Sequence, residues 1–378
     1  MSDLRVAQFL PHFPSLEGTS AYVCGLSRAM DRIWPGACPV VSFRSDGRPA
    51  PRGVSVVSFP KHSGSVFHLP RELHEWLDTN PLDAMVLHGV YNPPNASLAK
   101  ELVSRDIPYI FVPHDPYVRE LTGHRFLRKQ CYWHLFEKRM IREAAAVQLL
   151  DESHEPPLRK LGISTPVFTV PNGCDPDSLN DSKVKLVVPG KRERVRVQYL
   201  GRMDRNHKGL DLAIKGFAQF LRSGIPGAED FDLILTGNDW EDLASLERLS
   251  LRLGLGNRVH FTGPSDMPSL GIHGQADLVI LPSRFDGFGL TIVEAMLAAR
   301  PVLVSNRAGV AGHVHKAGGG IVFEPEPNAI AEALEQAVSR RDQWESMGRM
   351  NQDYVRCKLT WEQVARRTME GYRRFLGG

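Results

Sequence analysis

Short apolar runs alternate with longer amphipathic stretches along nearly the whole chain. Runs such as Ala84–His88, Tyr109–Val112 and Leu278–Leu281 have the length and composition of buried strands, whereas residues 20–33 and 290–298 repeat with helical periodicity. This alternation predicts parallel sheets built from right-handed βαβ units, with helices covering both faces of each sheet. We expect an α/β fold with seven strands in the first half and six in the second.

The chain is long enough for two domains. Its 378 residues exceed what a single hydrophobic core usually organises. Residues 175–194 are charged, contain prolines and a glycine, and show little periodicity, which is typical of a linker. We therefore predict domains at 1–180 and 190–360, followed by a terminal helix at 361–378. Doubly wound domains of this kind bind ligands at the carboxyl ends of their strands.

Composition excludes several classes of protein. With 42% hydrophobic residues, 24% charged residues and a formal charge of +3, the chain lacks the strong basic bias of nucleic-acid-binding domains. Its five cysteines are widely spaced and form no zinc-binding pattern, which fits a reducing compartment. No stretch approaches the ~18 apolar residues that a membrane-spanning helix needs. We expect a cytoplasmic protein that binds no nucleic acid.

Common cofactor and metal motifs are absent. The sequence contains no GxxxxGK[ST] phosphate loop, no GxGxxG after the first strand, no GxSxG elbow and no HExxH pair. His313 and His315 stand two residues apart beside a glycine run, but no third ligand accompanies them at metal-binding spacing. We therefore predict neither a metal site nor a cofactor.

The most informative segment covers residues 276–305. A buried strand, Leu278–Leu281, ends at Pro282, and a glycine-containing loop at 286–289 opens a helix that carries Glu294. Glycine lets the backbone turn tightly and approach a ligand, and the N–H groups that begin a helix can bind phosphate. Taken alone, such a strand–loop–helix connection is common and does not identify a ligand.

Two cations follow another predicted strand. Arg202 and Lys208 lie between the strand that ends near Leu200 and the next helix, in the segment VQYLGRMDRNHKGLDLAIKGF. An arginine and a lysine beside a strand end can neutralise a diphosphate, although most such pairs belong to solvated turns. Both interpretations stay open on these residues alone.

The two segments together resemble the signature of the retaining glycosyltransferases of family 4. That family has an acidic residue before Gly-Phe-Gly, a second acid after seven further residues, and GRxxxxKG before a helix. Here Asp286 and Glu294 keep the acid spacing, with Asp in place of the usual Glu, Ala299 in place of a usual Gly, and a cation loop one residue longer. The resemblance implies the GT-B fold: two Rossmann-like doubly wound domains facing across a cleft, with the terminal helix crossing back to the N-terminal domain.

The resemblance also implies roles for particular residues. Glu294 would hold the ribose hydroxyls, Asp286 would reach the donor sugar, and Arg202 and Lys208 would bind the diphosphate. His114, directly after a strand in FVPHDPY, would stand near the donor sugar and the reacting carbon. The implied catalytic residues are His114, Asp286, Arg202 and Lys208. The implied donor-binding residues are Gly18, Arg202, Lys208, Gly263, Pro264, Asp286, Gly287, Phe288, Gly289, Leu290 and Glu294.

The implied reaction moves a hexose-type sugar from a nucleotide-diphospho-sugar to a hydroxyl of a glycan, a lipid-linked compound or a small molecule. Fixed positive charge would stabilise the leaving diphosphate, so that no divalent metal is expected. Two alternatives remain: a nucleotide-sugar epimerase of the same fold, and an inactive relative that only binds nucleotide-sugar.

Residues 124–145 combine basic and aromatic side chains in a predicted helix at 126–144. Such a helix could lie on an anionic membrane, on its cytoplasmic side, near a lipid-linked acceptor. It could equally pack its aromatic rings into the core while the cations stay in water. The sequence favours the second interpretation without excluding a peripheral membrane contact.

Overall fold

The structure is a computed structural model that describes residues 4–15, 18–36, 38–43, 49–60, 67–115, 117 and 126–376. It divides into two compact units. The first unit comprises Met1–Gly173 together with Trp361–Gly378, and the second comprises Cys174–Thr360.

The segment at 175–194, predicted as a linker, lies just after the boundary between the two units and packs on the second unit. The Gly190 N–H donates to the carboxylate of Asp277 at 2.8 Å, and Arg192 donates to the Gln275 carbonyl at 2.7 Å. A charged sequence without periodicity can still be held firmly when its polar groups find partners on a neighbouring element.

All the predicted strands are present, and each unit contains one parallel sheet. In the first unit the strands are β1 (Val6–Phe9), β2 (Val40–Phe43), β3 (Val56–Phe59), β4 (Ala84–His88), β5 (Tyr109–Val112), β6 (Ala146–Leu149) and β7 (Val167–Thr169). In the second unit they are β8 (Val195–Leu200), β9 (Phe231–Thr236), β10 (Val259–Thr262), β11 (Leu278–Leu281), β12 (Val302–Ser305) and β13 (Gly320–Phe323).

Both sheets are doubly wound. The strand order is β3-β2-β1-β4-β5-β6-β7 in the first unit and β10-β9-β8-β11-β12-β13 in the second. In each sheet the order reverses beside the first strand, between β1 and β4 and between β8 and β11. Such a reversal opens a crevice at the carboxyl ends of the two strands, which is where ligands bind in this architecture. The predicted fold class of two doubly wound α/β units is confirmed.

Helices cover the sheets. They are α1 (Gly18–Ile33), α2 (Arg71–Thr79), α3 (Pro93–Ser104), α4 (Phe126–Tyr132), α5 (Lys138–Glu143), α6 (Glu155–Lys160), α7 (Arg205–Lys208), α8 (Leu210–Arg222), α9 (Leu243–Arg252), α10 (Ser269–Gly274), α11 (Leu290–Leu297), α12 (Ala311–Ala317), α13 (Pro327–Ser339), α14 (Trp344–Lys358) and α15 (Trp361–Leu376). Helix α14 was not predicted, because its many polar and charged residues obscure the buried face at Trp344, Met347 and Val355. None of the described helices is both long enough and apolar enough to cross a membrane.

The predicted helix at 126–144 is interrupted by one π-helical stretch, Trp133–Glu137, between α4 and α5. The wider turn places Glu137 inside the unit, where its carboxylate accepts the Tyr91 N–H at 2.7 Å and the Tyr117 hydroxyl. Burial raises the pKa of Glu137 to about 7 despite these two hydrogen bonds. Trp133 is buried, whereas Leu135 is 67% exposed, so the apolar residues of this segment only partly face the core.

The last helix of the chain completes the first unit. Residues of α15 pack against α1, and the indole of Trp361 lies in edge contact with Tyr22, the ring centroids 5.7 Å apart. The ring sits directly on Gly25 and beside Gly173, so that a methyl group at Gly25 would come within 2.1 Å of it. The absence of a side chain at Gly25 is therefore what lets α15 approach α1.

We predict that Gly25→Ala destabilises the protein although alanine is the better helix former. The added methyl collides with a buried ring, which costs about 1–3 kcal/mol, whereas the gain in helix propensity is about 1 kcal/mol. Urea unfolding should show a net loss of up to about 2 kcal/mol. The control is Gly312→Ala in α12, where no atom lies within 4 Å of the new methyl, and an equal effect of both changes would contradict the proposed packing.

Candidate functional site

The loops that follow β8 and β11 meet where the second sheet reverses its strand order. The first loop carries Arg202 and Lys208, and the second runs from Pro282 to Gly289 and leads into α11. The two segments singled out in the sequence are therefore neighbours at the ligand-binding edge of this unit.

The β8 loop contains a single helical turn, α7, with both of its ends capped. The Asp204 carboxylate accepts the N–H groups of Asn206 and His207 at 2.8 and 3.0 Å, as an N-cap residue does. Gly209 ends the turn in the left-handed region, with φ of 64°, and a methyl group there would lie 2.2 Å from the Pro282 carbonyl oxygen. Only glycine lets the two loops come this close. Lys208, the residue before Gly209, is therefore held beside the β11 loop.

Lys208 forms an ion pair with Asp286 across the two loops. Its Nζ lies 2.6 Å from the Asp286 Oδ2, and the Ser283 hydroxyl is 3.4 Å from the same oxygen. Both side chains are largely buried, with 19% and 11% of their surface exposed. Asp286, the first acid of the β11 motif, is therefore paired with Lys208 of the β8 motif.

Arg202 has a different partner. Its guanidinium carbon lies 4.7 Å above the ring centroid of Trp240, in a cation–π contact. Trp240 follows β9, the strand next to β8, and is 53% exposed. Trp240 was not among the predicted site residues, although a tryptophan just beyond a strand end could have been noticed.

Glu294 lies in the second turn of α11, as predicted, and its carboxylate accepts a hydrogen bond from Ser269 at the start of α10. Loss of surrounding water raises the pKa of Glu294 to about 7, against the opposing effect of the Ser269 hydroxyl. A carboxyl in this state exchanges its proton near neutral pH. Ser269 was not predicted, because 24 residues separate it from Glu294 in the sequence.

The loop at 286–290 is fixed by its backbone. The Gly309 N–H donates to the Asp286 carbonyl at 3.2 Å, and the Val310 N–H donates to the Phe288 carbonyl at 2.7 Å. Phe288 is buried, and Gly289 starts α11 in the left-handed region, with φ of 92°. The first N–H groups of α11 have no helical partner of their own, so this end of the helix can receive a negatively charged group. Gly287 and Leu290 complete the predicted segment.

A second ion pair ties the β11 loop to α8. Arg284 donates from two nitrogens to the two carboxylate oxygens of Asp211, at 2.7 and 2.9 Å, and also donates to the Arg205 carbonyl. Burial by itself raises the pKa of Asp211, but the charge and hydrogen bonds of Arg284 outweigh it and leave that pKa lowered. The pair joins the β11 loop to both the start of α8 and the loop of the two cations.

The other predicted donor-binding residues lie at strand and helix ends. Gly263 and Pro264 directly follow β10 and are exposed, at the same edge of the second sheet as the cations. Gly18 is the first residue of α1 in the first unit, with open space around it, and Glu17 lies outside the described residues.

His114 belongs to the first unit, where it follows β5 with a left-handed backbone, φ 65°, which is strained for a residue with a side chain. Its Nε2 is 2.9 Å from the Nδ1 of His88, whose other ring nitrogen contacts the amide oxygen of Gln8. The ring also lies against Tyr22, the two centroids 4.9 Å apart. His114 is thus held by a buried polar row that runs across β5, β4 and β1.

Burial keeps this row uncharged. It lowers the pKa of His114 to about 3 and that of His88 well below its ordinary value, the latter also because of the neighbouring imidazole. A neutral imidazole can accept or donate one hydrogen bond through each nitrogen, but it carries no positive charge at neutral pH. The structure thus places Arg202, Lys208, Asp286 and Glu294 in one unit and His114 and Gly18 in the other.

Known proteins match both halves of the chain. The model described as Glycosyltransferase Family 4 matches residues 17–178, and that of Glycosyl transferases group 1 matches residues 180–353. D-inositol 3-phosphate glycosyltransferase from Corynebacterium urealyticum is 31% identical over 140 residues, 36% of this chain. The match spans only 33% of that relative's own length.

Solved structures match over nearly the whole chain. Sucrose-phosphate synthase from Thermosynechococcus elongatus superimposes with a TM-score of 0.75 at 20% identity, over 98% of this chain and 99% of the other. The Anabaena protein HepE, in complex with UDP and glucose, gives 0.75 at 18% identity, over 98% and 100%. The predicted GT-B fold is confirmed by matches of this kind.

We predict that Arg284→Ala lowers the free energy of unfolding by about 1–3 kcal/mol at pH 7, because it leaves Asp211 buried without its main partner. The lowered pKa of Asp211 stabilises the wild type above the ordinary aspartate value near 4, and this contribution is lost as the carboxylate is protonated. The difference between variant and wild type should therefore shrink in urea titrations below about pH 4.

The matched control is Arg307→Ala, since Arg307 and Glu324 form an exposed pair at 3.9 Å. That change should cost less than about 0.5 kcal/mol. Equal losses in the two variants, or a loss in Arg284→Ala that does not depend on pH, would contradict the role of the Asp211 pair.

Proposed function

The chain belongs to the family 4 glycosyltransferases, with family models matching both of its halves, and on that premise we propose that it transfers a sugar from a nucleotide-diphospho-sugar to a hydroxyl acceptor with retention of configuration. The observation that carries the proposal is the Lys208–Asp286 ion pair at the strand-order reversal of the second unit. Arg202 lies on the same loop as Lys208, and the loop of Asp286 leads into the helix that carries Glu294. Acids and cations at such an edge suit a ligand with both hydroxyl and phosphate groups.

The two cations are proposed to bind the diphosphate. As the glycosidic C–O bond breaks, the leaving diphosphate gains negative charge, and fixed cations stabilise it more than they stabilise the bound donor. On donor binding, the Lys208 ammonium group would either leave Asp286 for a phosphate oxygen or donate hydrogen bonds to both. Because protein cations supply this charge, the proposal needs no divalent metal and no cofactor, and added EDTA should leave the rate unchanged.

Asp286 is proposed to accept a hydrogen bond from a hydroxyl of the donor sugar. Its side chain is one methylene shorter than the usual glutamate and already engages Lys208, so it reaches less far from the loop. His114 is proposed to act as a neutral hydrogen-bonding group toward a sugar hydroxyl, since burial keeps its pKa near 3. The acceptor hydroxyl would lose its proton to the leaving phosphate as its oxygen bonds to the sugar carbon on the same face.

The acceptor is proposed to be a hydroxyl of a glycan, a lipid-linked compound or a small molecule. The names of the relatives, inositol phosphate and sucrose-phosphate enzymes among them, make small phosphorylated polyols the first acceptors to test. A lipid-linked acceptor would suit the exposed Leu127 and Leu135, which lie near Arg128 and Lys129 on α4 and the π-helical stretch.

The decisive experiment incubates the protein with isotope-labelled UDP-, GDP- and ADP-sugars and an acceptor panel, and determines the anomeric configuration of each product by NMR. We expect transfer with retained configuration, and a loss of about 100-fold or more in kcat for Lys208→Ala. Lys358→Ala, which removes an exposed lysine at the end of α14, is the control and should keep full activity. An inverted product, or an epimerised sugar formed without acceptor, would refute the proposal.

We predict that affinity for a nucleotide-sugar rises with pH through Glu294. The ribose hydroxyls are expected to donate to the carboxylate, so binding favours the ionised form of a group whose pKa is about 7. Between pH 6 and 8 the affinity should rise about tenfold, because the ionised fraction of the free protein rises by that factor.

Calorimetry with a UDP-sugar measures this, since its diphosphate has no group that titrates in the range. Glu294→Gln should bind more weakly at pH 8 and show a flat pH profile. A profile that stays steep in Glu294→Gln would assign the titration to another group.

A further inference from the structure

The arginine proposed to bind phosphate rests on an aromatic ring. The Arg202 guanidinium carbon is 4.7 Å from the centroid of Trp240, which lies at the carboxyl end of the neighbouring strand. Trp240 is 53% exposed, so part of its ring remains in water beside the guanidinium.

The backbones of the two loops are held together just beside this contact. The Gly201 N–H donates to the Thr236 carbonyl at 3.0 Å, and the Met203 N–H donates to the Asn238 carbonyl at 2.8 Å. Gly237, with φ of 148°, approaches so closely that a methyl group there would lie 1.8 Å from the Gly201 oxygen. The fold itself therefore sets the distance between the residues that carry the guanidinium and the indole.

We propose that Trp240 is a positioning residue that holds the Arg202 guanidinium in place for the donor diphosphate. This inference rests on the proposed function. The cation–π contact engages the guanidinium through its positive charge, which leaves its N–H groups available to form paired hydrogen bonds to phosphate oxygens. One side chain can therefore be held by the ring and bind phosphate at the same time.

The two cations of the site are held by different kinds of contact. Lys208 is anchored by the carboxylate of Asp286, whose negative charge offsets that of the ammonium group. Among the residues that the structure describes, Arg202 has no carboxylate within ion-pair distance, and its side chain is exposed. An exposed arginine samples many rotamers, and ordering it on binding opposes affinity. The indole reduces that cost without neutralising the charge that phosphate needs.

The strand order also allows a second role for Trp240, direct contact with the nucleoside, and an experiment must distinguish this role from positioning. β9, which is followed by the loop of Trp240, lies between β8 and β10, and β10 is followed by Gly263 of the predicted donor-binding set. The open face of the indole could then touch the nucleoside directly. Direct contact and positioning differ in one respect: positioning works only while Arg202 is present.

A double-mutant cycle in the full chain makes the distinction. Calorimetry first identifies which of UDP, GDP and ADP binds the wild type most tightly, and that nucleotide is used for all variants. Trp240→Ala should weaken its binding roughly threefold to tenfold, whereas Trp240→Phe should keep it within about twofold of the wild type. Adding Trp240→Ala to Arg202→Ala should weaken binding no further. Leu251→Ala, on the exposed side of α9, is the control for surface truncation and should bind as wild type.

Unchanged binding in Trp240→Ala would overturn the proposal, as would an equal loss from Trp240→Ala with and without Arg202. A second measurement needs no ligand: the Nε–H resonance of Arg202, assigned by its loss in Arg202→Ala, should be displaced by the ring current of Trp240. It should move in Trp240→Ala and stay in Leu251→Ala. A resonance that does not move overturns the positioning role even if no nucleotide binds, whereas a displaced resonance without nucleotide binding refutes only the proposed function.

Discussion

The site depends on one close approach between two loops of the second sheet. Because β8 and β11 are neighbours where the strand order reverses, their loops share one edge, and Gly209 lets the backbone pass against the Pro282 carbonyl. Arg284 then ties the second loop to Asp211 at the start of α8. The Lys208–Asp286 contact is a consequence of this approach, since both residues lie beside these anchors. A side chain at position 209 would push the two loops apart and would thereby also separate Lys208 from Asp286.

The protonation of His114 and that of Glu294 are set by their surroundings. Burial holds His114 neutral in the first unit and brings the pKa of Glu294 close to 7 in the second. The two cations differ in their partners, a carboxylate for Lys208 and an aromatic ring for Arg202. Within the second unit, a carboxylate that can accept hydrogen bonds from hydroxyls therefore lies on the same architecture as two cations that can bind phosphate.

The strand pattern could be predicted because fully buried strands leave a simple signal, an uninterrupted apolar run. All the predicted strands are present, and the motif residues on their exits lie where the parallel arrangement requires. Helix α14 was missed because it is a polar sequence whose buried face packs on distant residues. The contacts of the segment at 175–194, such as Gly190 with Asp277, could not be predicted for the same reason. The π-helical stretch at Trp133–Glu137 likewise depends on Tyr91 and Tyr117, which local periodicity does not reveal.

By itself, the sequence determined the fold class, the two sheets and the acidic and cationic motifs, because periodicity, glycine positions and motif spacing are properties of neighbouring residues. Only the tertiary structure decided which side chains pair. Asp286 meets Lys208 across 78 positions, Arg284 meets Asp211 across 73, and Arg202 meets Trp240 on the adjacent strand exit. It also decided the protonation of His114 and Glu294, since the loss of water around a group is set by everything packed against it.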